Sequence, residues 1–280
     1  MPLKTGLISF LIFTACCKFA NAESDYPEKA LFDFGAMIGH GSLADYPASD
    51  EYRYFTVPFP YVSYRGELLQ SDDQDGTRFR LIDGDNLHFD ISFGGSFPTD
   101  PKKNLARKDM PALDWTLEIG PRLLYYLYRS KEFGKIRLGI PLRSSFSTDF
   151  VTTKQVGYLF APTLQIDKYN FLMNNMTLYF TATVNYLNEG LADYFYEIDG
   201  AYQTPERNAY NAKSGYLGWE SYVATKHEAN GKIVLFGLRY SDFNGSVNSD
   251  SYLHRTDSNW SYFIGLGWLL FESEQRVGIK

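Results

Sequence analysis

Few residues in this chain could do covalent chemistry. There are four histidines, His40, His88, His227 and His254, and the most suggestive is His88, which is followed by Asp90 and Ser92. An imidazole beside a carboxylate and a hydroxyl is the composition of a nucleophilic hydrolase. The surrounding segment alternates between apolar and polar residues, so the three side chains share one face of a strand. Residues i and i+2 lie about 6–7 Å apart along a strand, too far for a direct hydrogen bond between base and nucleophile. His40 and His254 fall in predicted loops without metal-ligand spacing, and His227 reads as a lumen or surface histidine. Outside the first 22 residues there is no cysteine pair, and no Gly-rich phosphate loop or His-x-x-x-His is present. No catalytic, cofactor-binding or metal-binding residue is therefore assigned, and the chain reads as non-enzymatic.

The elements that would carry these side chains are strands. The chain holds 22 Tyr and 22 Phe, and aromatics make up 17% of it. In 87–97, Leu87, Phe89, Ile91, Phe93 and Phe97 face one way, while His88, Asp90, Ser92, Gly94 and Ser96 face the other. In 114–129, Trp115, Leu117, Ile119, Leu123, Tyr125 and Leu127 oppose Thr116, Glu118, Gly120, Arg122 and Tyr126. Eleven such segments are predicted: 31–39, 54–66, 77–83, 86–97, 114–129, 135–147, 155–167, 176–187, 215–227, 232–243 and 260–271. Repeated aromatic segments of this length, apolar on one face, imply a transmembrane antiparallel β-barrel of about 10–12 strands. Eleven is an odd count, so either 31–39 lies outside the wall or one strand is missing from the reading.

Residues 1–22 have the form of an export signal: Lys4, an apolar stretch from Gly6 to Ala15, and Ala20-Asn21-Ala22 as a cleavage site. A second processing site, Phe13-Thr14-Ala15-Cys16, resembles a lipoprotein box. Cleavage after Ala22 removes Cys16, Cys17, Lys4 and Lys18, leaving 25 basic against 33 acidic residues, a balance of −8. That balance argues against a nucleic-acid partner. Residues 23–280 then form one barrel, with 23–52 of uncertain placement and 272–280 a polar extension. The mean hydropathy is negative, which excludes a helical membrane protein but not a barrel, half of whose strand residues are polar.

The connections alternate in length. Asp83-Gly84-Asp85-Asn86, Phe133-Gly134 and Asn230-Gly231 are tight turns, whereas 98–113, 148–154, 188–214 and 244–259 are longer and polar. Short periplasmic turns and long external loops are the pattern of an outer-membrane barrel in a Gram-negative bacterium. Arg65, Arg122, Arg137 and Arg143, with Glu67, Asp90 and Glu118, fall on or near inward faces, as a filling charge network or an ion-selective constriction. Pro58 and Pro60 are expected to bend or end their strand at the rim. The 188–214 loop reads either as a lid over the barrel mouth or as a ligand-contacting surface.

Several motifs, in order along the chain, resemble the MipA/OmpV family of outer-membrane proteins. They are Tyr46-Pro47-x-Ser49-Asp50; Pro58-Phe59-Pro60-Tyr61-x-x-Tyr64-Arg65-Gly66; Gly120-Pro121 following Glu118; Tyr194-x-Tyr196-Glu197; and Thr204-Pro205-Glu206-Arg207-x-x-Tyr210-x-Ala212-x-x-Gly215-Tyr216. The resemblance implies a barrel without catalysis or cofactor. It also implies a scaffold role, tethering a murein lytic transglycosylase and a bifunctional murein synthase, with membrane lipid around the wall. Other members suggest a small channel or an adhesin affecting permeability. Candidate partner-binding residues carried by the motifs are Pro58, Pro60, Tyr64, Arg65, Gly66, Gly120, Pro121, Pro205, Arg207 and Tyr210.

Overall fold

The alternating segments close into an antiparallel barrel. A computed structural model of the protein describes residues 28–72 and 76–278; the expected signal peptide lies outside the described residues. In chain order the strands are β1 (Glu28–Ala30), β2 (Phe32–Ala44), β3 (Tyr52–Arg65), β4 (Leu69–Asp72), β5 (Gly76–Asp83), β6 (Leu87–Ser96), β7 (Trp115–Ser130) and β8 (Gly134–Thr148). There follow β9 (Thr153–Phe160), β10 (Thr163–Lys168), β11 (Met176–Leu187), β12 (Gly215–Ala229), β13 (Lys232–Asp242), β14 (Ser258–Glu272) and β15 (Arg276–Gly278). A break at Ala161-Pro162 divides one wall strand into β9 and β10, which both pair with β8 and β11. Counting that pair as one, β2 to β14 make a closed wall of twelve strands, sealed where β14 pairs with β2. β1 and β15 form a separate two-stranded ribbon at the same end as the short turns.

The odd strand count resolves through β4, whose four residues are too short and polar to show an alternation. β2 belongs to the wall and runs on to Ala44, so His40 lies in a strand and not in a loop. The glycines at 39 and 41 gave that stretch the look of a turn. They are there for space: a Cβ on Gly39 would sit 2.6 Å from the Phe263 ring, and one on Gly41 2.8 Å from the Phe55 ring. Part of the polar extension is also structured, since Glu28 pairs with Gly278 and Ala30 with Arg276.

Outside the wall, Ile38, Val62, Leu123, Ile140, Phe236, Ile264 and Leu266 present an exposed apolar belt. Trp219, Tyr240 and Trp260 pack at its outer rim, edge-on and tilted with ring centroids 5.7 and 4.8 Å apart, as a girdle of interfacial aromatics. The lumen is split by chemistry. Met37, Tyr61 and Ile233 form an apolar cluster with Phe59, Leu235 and Leu269, and Phe263 lies between Phe55 and Phe59. The opposite sector, on β6 to β10, is ionic. Arg122 grips Asp90 bidentately at 2.9 and 2.7 Å, Arg137 meets Asp167 at 2.7 Å, and Arg143 meets Glu118 at 3.4 Å. Arg65 pairs with Asp33 at 2.6 Å near the short-turn end, whereas Glu67 is exposed in the turn after β3.

Breaking a buried ion pair from one side strands the other charge in a poorly solvated place, while replacing both partners removes the problem. Asp90→Ala is expected to destabilise the barrel by about 3–5 kcal/mol. The double change Asp90→Leu with Arg122→Met should lie much closer to the native protein, as read by urea titration of the protein in vesicles.

Candidate functional site

The largest buried apolar cluster lies above the barrel, not inside the wall. Tyr46, Ala106, Met110, Leu113, Leu191, Phe195, Tyr196, Ile198, Phe243 and Leu253 pack together from four external connections: 45–51, 97–114, 188–214 and 243–257. The 188–214 segment is therefore a lid. Its helix α1 (Glu189–Tyr196) starts at Asn188, whose side chain accepts from the Leu191 N–H at 3.2 Å, an N-cap. The helix then buries Leu191, Ala192, Phe195 and Tyr196.

Arginines lock this lid through backbone carbonyls. Arg207 is buried and donates to the Tyr202 carbonyl through Nε and Nη2 at 3.0 and 2.8 Å. Its Nη1 reaches the carbonyls of Ala106 and Lys108 at 2.9 and 3.0 Å. Arg107 answers from the other loop, donating to the Phe195 carbonyl at 3.0 Å beneath the Tyr46 ring. The Tyr196 hydroxyl donates to the Pro47 carbonyl at 2.9 Å, and burial pushes its pKa well above the ordinary phenol range. Arg107 and Asn104, whose side-chain amide donates to Asp45 at 3.0 Å, escaped the sequence reading because these cross-loop partners, Phe195 and Asp45, are far away in the chain.

Beneath the lid is a cavity of about 590 Å³, inside the ~300–1,000 Å³ range of ligand pockets. Arg53, Glu118, Arg122, Arg143, Glu220 and Arg239 line it, together with Gly94 to Phe97 at the upper end of β6. Farther down, Lys226 on β12 donates to the Tyr61 hydroxyl on β3 at 2.6 Å, crossing the lumen.

The candidate residues fall in three places. Pro205, Arg207 and Tyr210 belong to the lid, where the Tyr210 hydroxyl donates to Asn248 at 3.2 Å. Gly120 and Pro121 lie mid-wall, where β7 presses so closely on the Leu142 carbonyl that no side chain fits at Gly120. Tyr64, Arg65 and Gly66 lie at the short-turn end; Gly66 is buried under the Tyr64 ring, which a Cβ would meet at 2.6 Å. Pro58 and Pro60 do not end β3, which passes through both in unbroken register with β2. The hydrolase-like trio is not assembled either. His88 packs edge-on against Tyr126 at 4.8 Å, Asp90 holds Arg122, and the Ser92 hydroxyl donates to the Gly120 carbonyl at 3.3 Å while accepting from Arg143. Among the described residues, no group of three or more His, Cys, Asp or Glu could hold a metal ion.

A family model described as MltA-interacting protein MipA matches residues 35–270. Among curated proteins none matches the sequence. Among solved structures the chain is similar to one described as a NanC porin structure in a rhombohedral crystal form. The identity is 10%, the TM-score 0.40, and the match covers 83% of this chain and 98% of that one.

Removing the Arg207 guanidinium leaves several carbonyls without their donors, and hydrogen bonds to a charged group contribute about 1.5–3 kcal/mol each. Arg207→Ala is expected to loosen the lid by at least ~3 kcal/mol, seen as proteolysis within 188–214 while the barrel stays folded. A second expectation concerns pH. Asp193 has its pKa pushed up to about 6, first by burial and then by the charge and hydrogen bond of Glu197 one helical turn on. A carboxyl that holds its proton more tightly when folded stabilises most below its unfolded pKa of ~4 and loses that contribution as pH rises through the folded value. Hydrogen exchange in 189–198, corrected for intrinsic rates, should therefore speed up from pH ~4 to ~7, and Asp193→Asn should flatten the rise.

Proposed function

Because the chain belongs to the family of MltA-interacting protein MipA, an outer-membrane β-barrel family, we propose that it is a non-enzymatic scaffold. In this reading it holds a murein lytic transglycosylase, and with it a bifunctional murein synthase, at the periplasmic face of the outer membrane. The observation that carries the reading is the asymmetry of the two ends. The external mouth is covered by a lid with its own apolar core. The short-turn end instead offers a built edge: the β1–β15 ribbon and exposed apolar side chains at Leu68 (66% exposed), Leu172 (79%) and Met173. Murein lies on the periplasmic side, so a partner acting on it meets this end.

Within the candidate set, Tyr64 and Arg65, at the short-turn end, are the members this reading assigns to such contact, with Gly66 buried beneath the Tyr64 ring. Arg65 is fixed by Asp33 and by the Ala30 carbonyl, which it reaches at 2.6 Å, so this rim is preorganised. Pro205, Arg207 and Tyr210 are on the far side and serve the lid. A channel reading is less well supported, since the lid covers one end of the lumen and the Lys226–Tyr61 bond crosses it lower down.

Photocrosslinkers placed in cells at Leu68, at Leu172 and beside Gly134 and Asn230 test the proposal. The expected result is capture of a lytic transglycosylase or a murein synthase. Capture of assembly factors and lipoprotein alone would sink it.

A further inference from the structure

The charged side chains that line the cavity beneath the lid are not all matched. Arg53 meets Asp45 at 3.0 Å, Arg143 meets Glu118 at 3.4 Å, and Arg122 is held by Asp90. Two remain, Glu220 on β12 and Arg239 on β13. Neither side chain makes a hydrogen bond or an ion pair with another described residue. A carboxylate and a guanidinium, each without a protein counter-charge, thus face the same cavity from adjacent strands.

Register keeps the two apart. Glu220 stands opposite Ser241 and Arg239 opposite Tyr222, so the charged residues are diagonal neighbours, roughly 7–8 Å apart. Arg239 also has another attraction. Its guanidinium lies 5.7 Å from the centroid of the Tyr222 ring, a cation–π contact. The ring has its place there because residue 237 is glycine; a Cβ at that position would collide with the Tyr222 side chain.

The surroundings of this pair are polar below and apolar above. Glu220 has Thr183 opposite it on β11 and Ser241 on β13, and Gln165 and Asn185 line the cavity as well. The side chains of Gln165, Asn185 and Ser241 make no hydrogen bond to another described residue. On the lid side, Leu191 and Phe195 of α1, with Phe243, supply an apolar ceiling.

A simple anion would pair with Arg239 and be repelled by Glu220, and a simple cation would meet the reverse. A ligand carrying both charges, held apart, satisfies both. Amide groups between those charges suit Gln165 and Asn185, which each donate and accept, and small apolar side chains suit the ceiling. We propose that the cavity is a binding site for a zwitterionic dipeptide, its ammonium at Glu220 and its carboxylate at Arg239. An extended dipeptide spans about 7 Å, close to the diagonal separation, whereas the two charges of a free amino acid share one carbon. At about 590 Å³ the cavity is of a size that holds small ligands.

Calorimetric titration of the protein in detergent micelles with dialanine tests this. Dialanine is expected to bind. N-acetyl-dialanine and dialanine amide, each lacking one charge, should bind at least ~10-fold more weakly, and so should alanine, which is too short to reach both groups. Glu220→Gln should erase the difference between dialanine and its acetylated form while keeping the penalty for amidation; Arg239→Gln should do the opposite. A general loosening of the barrel would weaken every peptide alike and cannot produce this crossed pattern. Failure of dialanine to bind at millimolar concentration would overturn the site, as would equal binding of the three peptides or variants that weaken all three equally. Alanine binding as tightly as dialanine would overturn the choice of a peptide.

Discussion

A sheet in lipid must have no open edge, because a backbone N–H or C=O facing hydrocarbon has nothing else to bond. Closure of β14 on β2 satisfies that demand around most of the circumference, and much else follows from it. Closing the wall encloses a lumen, and the lumen must be filled. Here it is filled by two materials that do not mix: a sector of Met37, Phe59, Phe263 and Leu235, and a sector of paired charges on β6 to β10. Glycines at 39 and 41 exist because aromatic rings lie across them.

The lid changes what is meant by the core of this protein. In a soluble domain the apolar core holds the strands together; here the strands are held by their own ladder and by lipid, and the compact apolar cluster sits in the external loops. Arg107 and Arg207 stabilise that cluster by supplying donors to backbone carbonyls of two of its loops, 97–114 and 188–214. The lid is consequently a small folded unit, positioned by the barrel and stitched by guanidinium groups.

The barrel was legible in the sequence because a strand with lipid on one side and a filled lumen on the other has to alternate, as 87–97 and 114–129 do. β4 was not legible, since four residues contain too little alternation to recognise. The upper half of β2 was hidden because glycine signals a turn locally, whereas its cause here is a phenylalanine on another strand. The ionic pairs were partly legible: Arg122, Arg137, Arg143, Asp90 and Glu118 were placed on the inner face, but Asp167 and Asp33 emerge only from register. The motif residues were legible as a series along the chain and not as three separate locations, because the lid is assembled from contacts far apart in sequence. Pro58 and Pro60 were read as strand breakers. They are tolerated because the odd residues of β3 bond β2, so the pairing with β2 asks no N–H of position 58 or 60.

The pairing of Glu28 with Gly278 and of Ala30 with Arg276 adds three rungs to the most sequence-distant seam in the molecule. Joining segments so far apart carries the largest loop-closure entropy of any strand pair in the chain. The ribbon lies in line with the β14–β2 seam but beyond the apolar belt, so it acts as a clasp. Once fastened, it keeps the first and last wall strands in register and makes separating them a cooperative event. It also brings Glu28 and Gly278 within one strand spacing of each other, so the first and last wall strands are joined twice, once in the wall and once beyond it.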